Sequence, residues 1–247
     1  MTTILGAAAS GLAHSQQLVD AIGHNVANVN TAAFKRIRAI GEGAPSTAQE
    51  PGTSRMGVAL TTLDLVLAAG AAAQDNVPLH FAIQDDAFFR LRDVDESAVY
   101  SRFGALDVDG AGNVVGPGGR SLEPPIVLPE GSTAPAIDTA GVVSALNAEG
   151  VREDFGQVAI VRFVNPAGLE EIGEGLYRET GNSGATIDGI PGGEGFEALV
   201  TGAVEGSNVD LAEEFTNLIV AQRAYQACAK TFSIGDEMLA IATDLTR

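Results

Sequence analysis

Residue types that could bind a metal are badly spaced in this chain. Asp107 and Asp109 open a segment that resembles the start of a calcium-binding loop. Such a loop needs an oxygen ligand at its fifth position and a bidentate glutamate at its twelfth. Those positions fall on Ala111 and Gly118, which offer no side-chain oxygen. The segment is therefore interpreted as a hairpin turn.

Motifs of cofactor and nucleophile chemistry are also incomplete. A pair of glycines starts a dinucleotide-binding pattern, but the third, Gly116, falls one place late. Neither Lys35 nor Lys230 follows the glycines of a phosphate-binding loop, and the three histidines are too scattered for a zinc motif. The single cysteine, Cys228, excludes a disulfide within the chain and a multi-cysteine metal site. We expect no catalytic residue, no metal, no cofactor and no small-molecule substrate.

The composition limits the kinds of partner. The 247 residues include 14 basic and 32 acidic side chains, which leave a net charge of −18. Because that charge repels phosphate, nucleic acid and anionic membranes are unfavourable partners. The longest uncharged apolar stretch, residues 65–73, has about half the length that a membrane helix needs. The first residues lack a basic region before an apolar run, so we expect no cleaved secretory signal.

The elements that would position a site change along the chain. Helical spacing of small and apolar residues covers residues 3–29 and 209–246, and Ser207, Asn208 and Asp210 offer N-cap side chains to the second helix. The middle has short apolar runs between turn residues, which predict strands. The expected strands are residues 79–84, 87–92, 98–103, 105–108, 113–115, 141–146, 156–164 and 175–180. The expected stripe of the C-terminal helix is Leu211, Phe215, Leu218, Gln222, Tyr225, Ala229, Phe232, Asp236, Leu239 and Thr243.

The fold class expected from these patterns is α+β. The N- and C-terminal helices form an antiparallel coiled-coil-like unit, and the centre is an antiparallel β-rich domain. Packing of both helices on the β body is an equal alternative at this point. We expect a terminal helical polymerisation domain from residues 1–35 and 205–247, a connector over 36–76, and a β-rich outer domain over 77–204. Residues 58–67 fit a strand or a helical turn.

Motifs at both ends resemble those of the flagellar rod and hook family of axial proteins. Residues 10–35 are similar to the family's SGL…IG.NIANVNT.GFK, here ending in NVANVNTAAFK. Residues 205–210, EGSNVD, and 221–225, AQRAY, are similar to its LE.SNVD and AQRAY. YSRFG at 100–104, FVNPAGL at 163–169 and TGNSG at 180–184 match further motifs in the family's order. Such collinear matching is more specific than any single motif.

The resemblance implies a structural subunit of the flagellar basal-body rod, most like the distal-rod member, which self-assembles helically into a hollow drive shaft. Its implied partners are copies of itself, other flagellar rod and hook proteins, and the flagellar type III export apparatus. Its implied location is the periplasm-spanning rod, reached without a cleaved signal. One alternative is a proximal-rod or hook-type protein. Another is a ligand-binding or hydrolytic β domain with helical oligomerisation ends.

The family motifs also assign an assembly interface. In the N-terminal segment its expected residues are Leu12, Leu18, Ile22, Asn25, Asn28, Asn30, Thr31 and Phe34. In the C-terminal segment they are Ser207, Asn208, Val209, Phe215, Leu218, Gln222, Arg223, Tyr225 and Leu239. The three asparagine amides are expected to satisfy backbone groups at the helix end or to bond across subunits. Ala33, Asp85 and Ala87 replace family glycines, which predicts changed or strained turns there.

Overall fold

The computed structural model describes residues 2–43, 57–93 and 95–244. Within these ranges the chain forms a helix near each end and eighteen strands between them, so the expected α+β fold class is confirmed. The described parts of residues 1–29, 36–66 and 209–247 form one compact unit, called the helical unit. Residues 30–35 and the described part of 67–208 form a second, called the β unit.

The helical unit contains α1 (Thr2–Ala27) and α2 (Leu211–Asp244). Both helices were predicted to within two residues of these limits, apart from residues 245 and 246, which lie outside the described range. The Oδ1 atom of Asp210 accepts hydrogen bonds from the backbone N–H groups of Ala212 and Glu213, at 2.8 and 3.2 Å. Asp210 is therefore the N-cap. Within the described residues, neither helix has the length and apolarity needed to cross a membrane.

A hairpin completes the helical unit. Strand β1 (Arg36–Gly43) pairs antiparallel with β2 (Val58–Val66), from Arg36 opposite Val66 to Gly43 opposite Val58. The alternative left open for residues 58–67 is thus resolved as a strand, as β-branched Val58, Thr62 and Val66 favour. Part of the predicted connector is therefore regular structure, and its polar segment at residues 44–56 lies outside the described residues.

The β unit holds the remaining sixteen strands. The first eight are β3 (Ala72–Gln74), β4 (Phe81–Ala82), β5 (Ala87–Arg92), β6 (Ala98–Ser101), β7 (Asp107–Val108), β8 (Val114–Val115), β9 (Ser121–Leu122) and β10 (Thr133–Ile137). The others are β11 (Val142–Leu146), β12 (Arg152–Gln157), β13 (Ile160–Phe163), β14 (Glu170–Gly173), β15 (Leu176–Arg178), β16 (Thr186–Gly189), β17 (Val200–Thr201) and β18 (Ala203–Glu205). Short 3₁₀ turns lie at Pro117–Gly119 and Pro166–Gly168.

The largest sheet of the β unit has nine antiparallel strands. Its main order is β14-β15-β6-β5-β9-β8-β7, and β13 pairs with both β5 and β16. Strands β10, β11 and β12 form a second sheet, and β17–β4 and β18–β3 are two-stranded ladders. The core is mainly aliphatic, with Phe81 and Phe89 packed edge to face at 5.4 Å between ring centroids. This antiparallel arrangement follows the predicted one.

Some predicted strands are shorter in the structure, such as 79–84, where only Phe81–Ala82 is a strand, and one is divided in two. Residues 156–164 form two strands rather than one, because the buried Val158 donates its N–H to the carbonyl of Gly141 and breaks the run between β12 and β13. The hairpin turn predicted after β7 is present, since Asp107 lies opposite Val115. Its Asp109 carboxylate accepts hydrogen bonds from nearby backbone N–H groups of the turn.

The replaced family glycines differ in their backbone conformation. Ala33 is buried and has a φ of 55°, in the left-handed region that favours glycine. Its N–H donates to the carbonyl of Glu205 at 2.7 Å. Asp85 and Ala87 are not among the described non-glycine residues with positive φ. The Asp85 carboxylate instead accepts the Ala87 N–H at 3.1 Å. The prediction of a strained turn is confirmed at Ala33 only.

Candidate assembly site

The two helices of the helical unit contact each other through small residues. A Cβ atom added to Gly11 would lie 2.8 Å from the Sγ of Cys228, and one added to Gly235 would lie 2.9 Å from a Cδ of Leu5. Leu5 precedes Gly11 in α1, whereas Gly235 follows Cys228 in α2, so the helices run antiparallel. Ala221, also on this face of α2, is buried. The absence of larger side chains allows the two backbones to approach closely.

The face of α2 that contacts α1 is not the predicted stripe. Leu218 and Leu239 are half-buried, as the stripe predicts, but Phe215, Tyr225 and Phe232 are 51%, 42% and 41% exposed. Compared with the predicted stripe, the contact face lies further around the axis of α2, on the small residues Ala221, Cys228 and Gly235. Small residues fit against α1, whereas large side chains do not. The apolar stripe is thus a poor guide to the intramolecular contact.

Large apolar side chains remain exposed on α2 outside this contact face. We call this surface the outer face of α2 and define it as Phe215, Ile219, Val220, Ile234, Met238 and Ile241. The exposed fractions of Ile219 and Ile241 are 59% and 61%. Large exposed apolar side chains grouped along one helix mark interaction sites in soluble proteins.

Asn25 fastens α1 to the hairpin. Its side chain is 1% exposed, its Nδ2 donates to the carbonyl of Ile37 at 2.8 Å, and its Oδ1 accepts the Ile37 N–H at 2.8 Å. At the end of α1 the Nδ2 of Asn28 donates to the carbonyl of His24 at 2.9 Å. Both amides thus satisfy backbone groups within the chain, one of the two roles expected of them. Asn30 is exposed.

The other predicted interface residues fall into three groups. Ile22 is buried and four residues are half-buried in the helical unit: Leu12, Leu18, Leu218 and Leu239. Near the points where the chain passes between the units, the half-buried residues are Phe34, Ser207, Asn208 and Val209. The exposed residues are Thr31, Phe215, Gln222, Arg223 and Tyr225. The structure therefore leaves the third group accessible to another molecule.

A buried ionic cluster lies in the β unit. The Nζ of Lys35 lies 2.5 Å from Oε1 of Glu205, and the Nε of Arg102 lies 2.9 Å from its Oε2. Lys35, Arg102 and Glu205 are 2%, 1% and 0% exposed. Further hydrogen bonds join the cluster to the backbone: Gly70 N–H donates to Glu205, and Lys35 donates to the carbonyl of Ala68. The cluster joins four chain segments, and those at Lys35, Gly70 and Glu205 lie within a few residues of a boundary between the units.

Two positive charges and one negative charge in this cluster leave it a net charge of +1. Burial, followed by the Arg102 guanidinium, lowers the pKa of Lys35 to about 8, although Glu205 acts in the opposite direction. Sequence reasoning missed this cluster, yet its residues lie in three separate family motifs. The signal that could have revealed it was the presence of a charged side chain in each of these three motifs.

Within the described ranges, no three or more histidine, cysteine, aspartate or glutamate side chains are grouped so that they could bind a metal ion. The exposed apolar surface of α2 is instead suited to burial against another apolar surface.

Comparisons with known proteins match this chain to flagellar rod and hook proteins. Residues 82–145 match the model of the flagellar hook protein FlgE/F/G D1 domain, and residues 200–245 match that of the flagellar basal body rod FlgEFG protein C-terminal region. The flagellar basal-body rod protein FlgG of Borreliella burgdorferi is 36% identical, over 100% of both chains. FlgG of Bacillus subtilis is 37% identical, over 96% of this chain and 97% of its own. The flagellar hook protein FlgE of Borreliella burgdorferi is 43% identical, over 42% of this chain and 23% of its own.

Proposed function

Because the chain belongs to the FlgG family of flagellar basal-body rod proteins, it is a structural subunit of the flagellar rod, and we propose that its copies assemble helically into a hollow drive shaft. The outer face of α2 is the observation that carries this proposal. Phe215, Ile219 and Ile241 are more than half exposed there, and their burial between copies is favourable by about 25 cal/mol per Å². A head-to-tail contact that does not close into a ring extends into a filament.

The helical unit supplies the polymerisation contacts in this proposal. Its antiparallel helices form a coiled-coil-like pair, for which the close contacts of Gly11 with Cys228 and of Leu5 with Gly235 are the support. Residues 1–35 and 205–247 then line the inside of the polymer, and residues 77–204 form its outer part. The role is mechanical, without catalysis.

The location of the subunit is the flagellar basal body. We place it there in the periplasm-spanning rod, exported by the flagellar type III apparatus without cleavage, with other rod and hook proteins as neighbours. Full-length likeness to proteins named FlgG favours the distal rod over the hook, since the hook relative covers 42% of this chain. The similarity to that hook protein supports the proposal that rod and hook subunits contact one another through the regions that they have in common.

Deletion of the gene in the bacterium that encodes it tests the proposal. Cryo-electron tomography of the deletion strain should show basal bodies with shortened rods and no hook, and the cells should not swim. The wild-type gene should restore all three features, whereas Ile219→Asp, which places a charge in the outer face of α2, should not. Complete rods in the deletion strain would contradict the proposal.

A further inference from the structure

A groove of about 340 Å³ lies in the helical unit between α1, β1 and α2. Its apolar lining includes Leu18, Ile22, Ile37 and Val220. Val220 also belongs to the outer face of α2, so the groove borders the surface that is proposed to meet another copy. The groove is therefore continuous with the assembly surface.

A buried carboxylate faces this groove. Glu214 lines it and is 1% exposed. Its Oε1 lies 2.6 Å from the Nε of Arg36 as an ion pair without hydrogen-bond alignment, and its Oε2 has no hydrogen-bond donor among the described residues. A buried carboxylate oxygen without a donor is unfavourable, so this atom is suited to accept a hydrogen bond from a molecule that enters the groove.

The local charge of the groove also favours a cation. Arg36 is shared by two carboxylates, since its Nη1 lies 2.8 Å from Oε1 of Glu213 and its Nε contacts Glu214. Arg38, the other basic residue of the lining, pairs with Asp64 at 2.7 Å. Arg36, Glu213 and Glu214 together therefore carry a net charge of −1.

We propose that the groove receives Arg223 from a neighbouring copy, whose guanidinium donates to the Glu214 carboxylate. This inference rests on the proposed assembly of the chain. Arg223 is exposed and makes no ion pair within the described ranges. It follows Ile219 and Val220 by four and three positions, so its entry brings the outer faces of two copies together.

Arginine fits this groove better than the other exposed cation of α2, Lys230. A guanidinium offers two parallel N–H donors to a carboxylate, and Arg223 is one turn from Val220 at the groove. Glu214 and Arg223 lie nine positions apart on one helix, about 13.5 Å along its axis. Each copy therefore presents its donor and its acceptor at separate places, and the contact can repeat from copy to copy.

Zero-length crosslinking of the full chain tests the pairing. R223K protein labelled with ¹⁴N is mixed with the same protein labelled with ¹⁵N, assembled, and treated with a carbodiimide, which joins carboxylates to amines in contact. Mass spectrometry should find Glu214 joined to the introduced lysine in peptides that carry both labels. The crosslink should disappear in R223K/E214Q protein.

Two other outcomes would overturn the inference. If polymers form but Glu214 is joined to Lys230, or the introduced lysine is joined to another carboxylate, the proposed function stands and this pairing is wrong. If the wild-type chain forms no polymer, both proposals fail together.

The matched variants Arg223→Gln and Lys230→Gln separate the two cations by assembly. Both side chains are exposed, so circular dichroism should show a wild-type fold in each. Arg223→Gln should raise the critical concentration at least about tenfold, equivalent to about 1.4 kcal/mol. Lys230→Gln should change it less than about twofold, because its charge faces no proposed acceptor. An equal effect of the two variants would contradict the pairing.

Discussion

At the scale of single residues, the cluster of Lys35, Arg102 and Glu205 places three charges in the interior of the β unit. Such a cluster is stable only while opposite charges compensate one another. Glu205 is the one member that contacts both of the others, and it also accepts the Gly70 N–H. Its removal therefore has a different consequence from the removal of either cation.

The first prediction compares two variants of this cluster. Glu205→Gln leaves two buried cations without a counter-charge and should lower the free energy of unfolding by about 3–5 kcal/mol. Lys35→Met leaves the neutral pair of Arg102 and Glu205 and should cost less than half as much. Urea unfolding followed by circular dichroism measures both. An equal or reversed order would contradict the central role of Glu205.

The pH dependence of stability gives a second prediction. The pKa of Lys35 is about 8 in the folded chain, below the ~10.4 of an unperturbed lysine. Between these values the unfolded chain binds more protons, so this residue makes the free energy of unfolding rise with pH. The wild type should therefore gain stability relative to Lys35→Met between about pH 8 and pH 10.

Two tyrosines limit the pH range over which the stability of the wild type rises. Burial raises the pKa of Tyr100 and of Tyr177 in the folded chain. The unfolded chain therefore loses their protons first, and their effect lowers stability above about pH 10. Since both tyrosines are present in the wild type and in Lys35→Met, the difference between the two proteins isolates the lysine. A difference that stays constant from pH 7 to pH 10 would show that Lys35 keeps an ordinary pKa.

At the scale of elements, the pairing of α1 and α2 depends on where side chains are small. A Cβ atom at Gly11 would meet Cys228, whereas one at Gly6 would meet nothing within 4 Å. Both glycines lie in α1 and weaken the isolated helix equally. The difference in stability between variants at Gly11 and at Gly6 therefore measures the contact between the helices.

Valine substitutions at these two glycines give the third prediction. Gly11→Val should lower the free energy of unfolding by about 1–3 kcal/mol relative to Gly6→Val, because it overpacks the contact with Cys228. Adding Cys228→Ala to Gly11→Val should recover part of the loss. Thermal unfolding of all three proteins measures the effect. Equal stability of the two valine variants would place the contact elsewhere.

The elements were predictable from sequence to different extents. Both helices follow from apolar periodicity and the N-cap at Asp210, and strand β5 (Ala87–Arg92) matches its predicted limits. The contact face of α2 was misplaced because large residues such as Phe215 dominate the periodicity, while the contact uses Ala221 and Cys228. Strands such as β16 (Thr186–Gly189) were missed because their short segments lack alternation.

Parts of the candidate site were not readable from the sequence at all. Lys35, Arg102 and Glu205 are far apart in the chain, and only the folded β unit brings them within hydrogen-bond distance. Glu214 follows the N-cap Asp210 closely, where an acidic residue is explained by the helix dipole alone. Its burial beside Arg36 depends on the path of β1, which periodicity does not give.

At the scale of the whole molecule, a net charge of −18 makes copies repel one another. Assembly therefore needs apolar contact that outweighs this repulsion. The outer face of α2 offers such contact, with Ile219 59% exposed. The β unit also has exposed apolar side chains, among them Ile187, which is 53% exposed. These two isoleucines provide a matched test of which unit drives polymerisation.

The most direct measurement is concentration-dependent assembly of the full chain, followed by sedimentation and negative-stain electron microscopy. Wild type, Ile219→Asp and Ile187→Asp differ by one added charge at comparable exposure. The wild type and Ile187→Asp should form rods above a critical concentration, whereas Ile219→Asp should stay monomeric with an unchanged circular dichroism spectrum. Rods of Ile219→Asp at the wild-type concentration, with assembly lost in Ile187→Asp, would contradict polymerisation through the terminal helices.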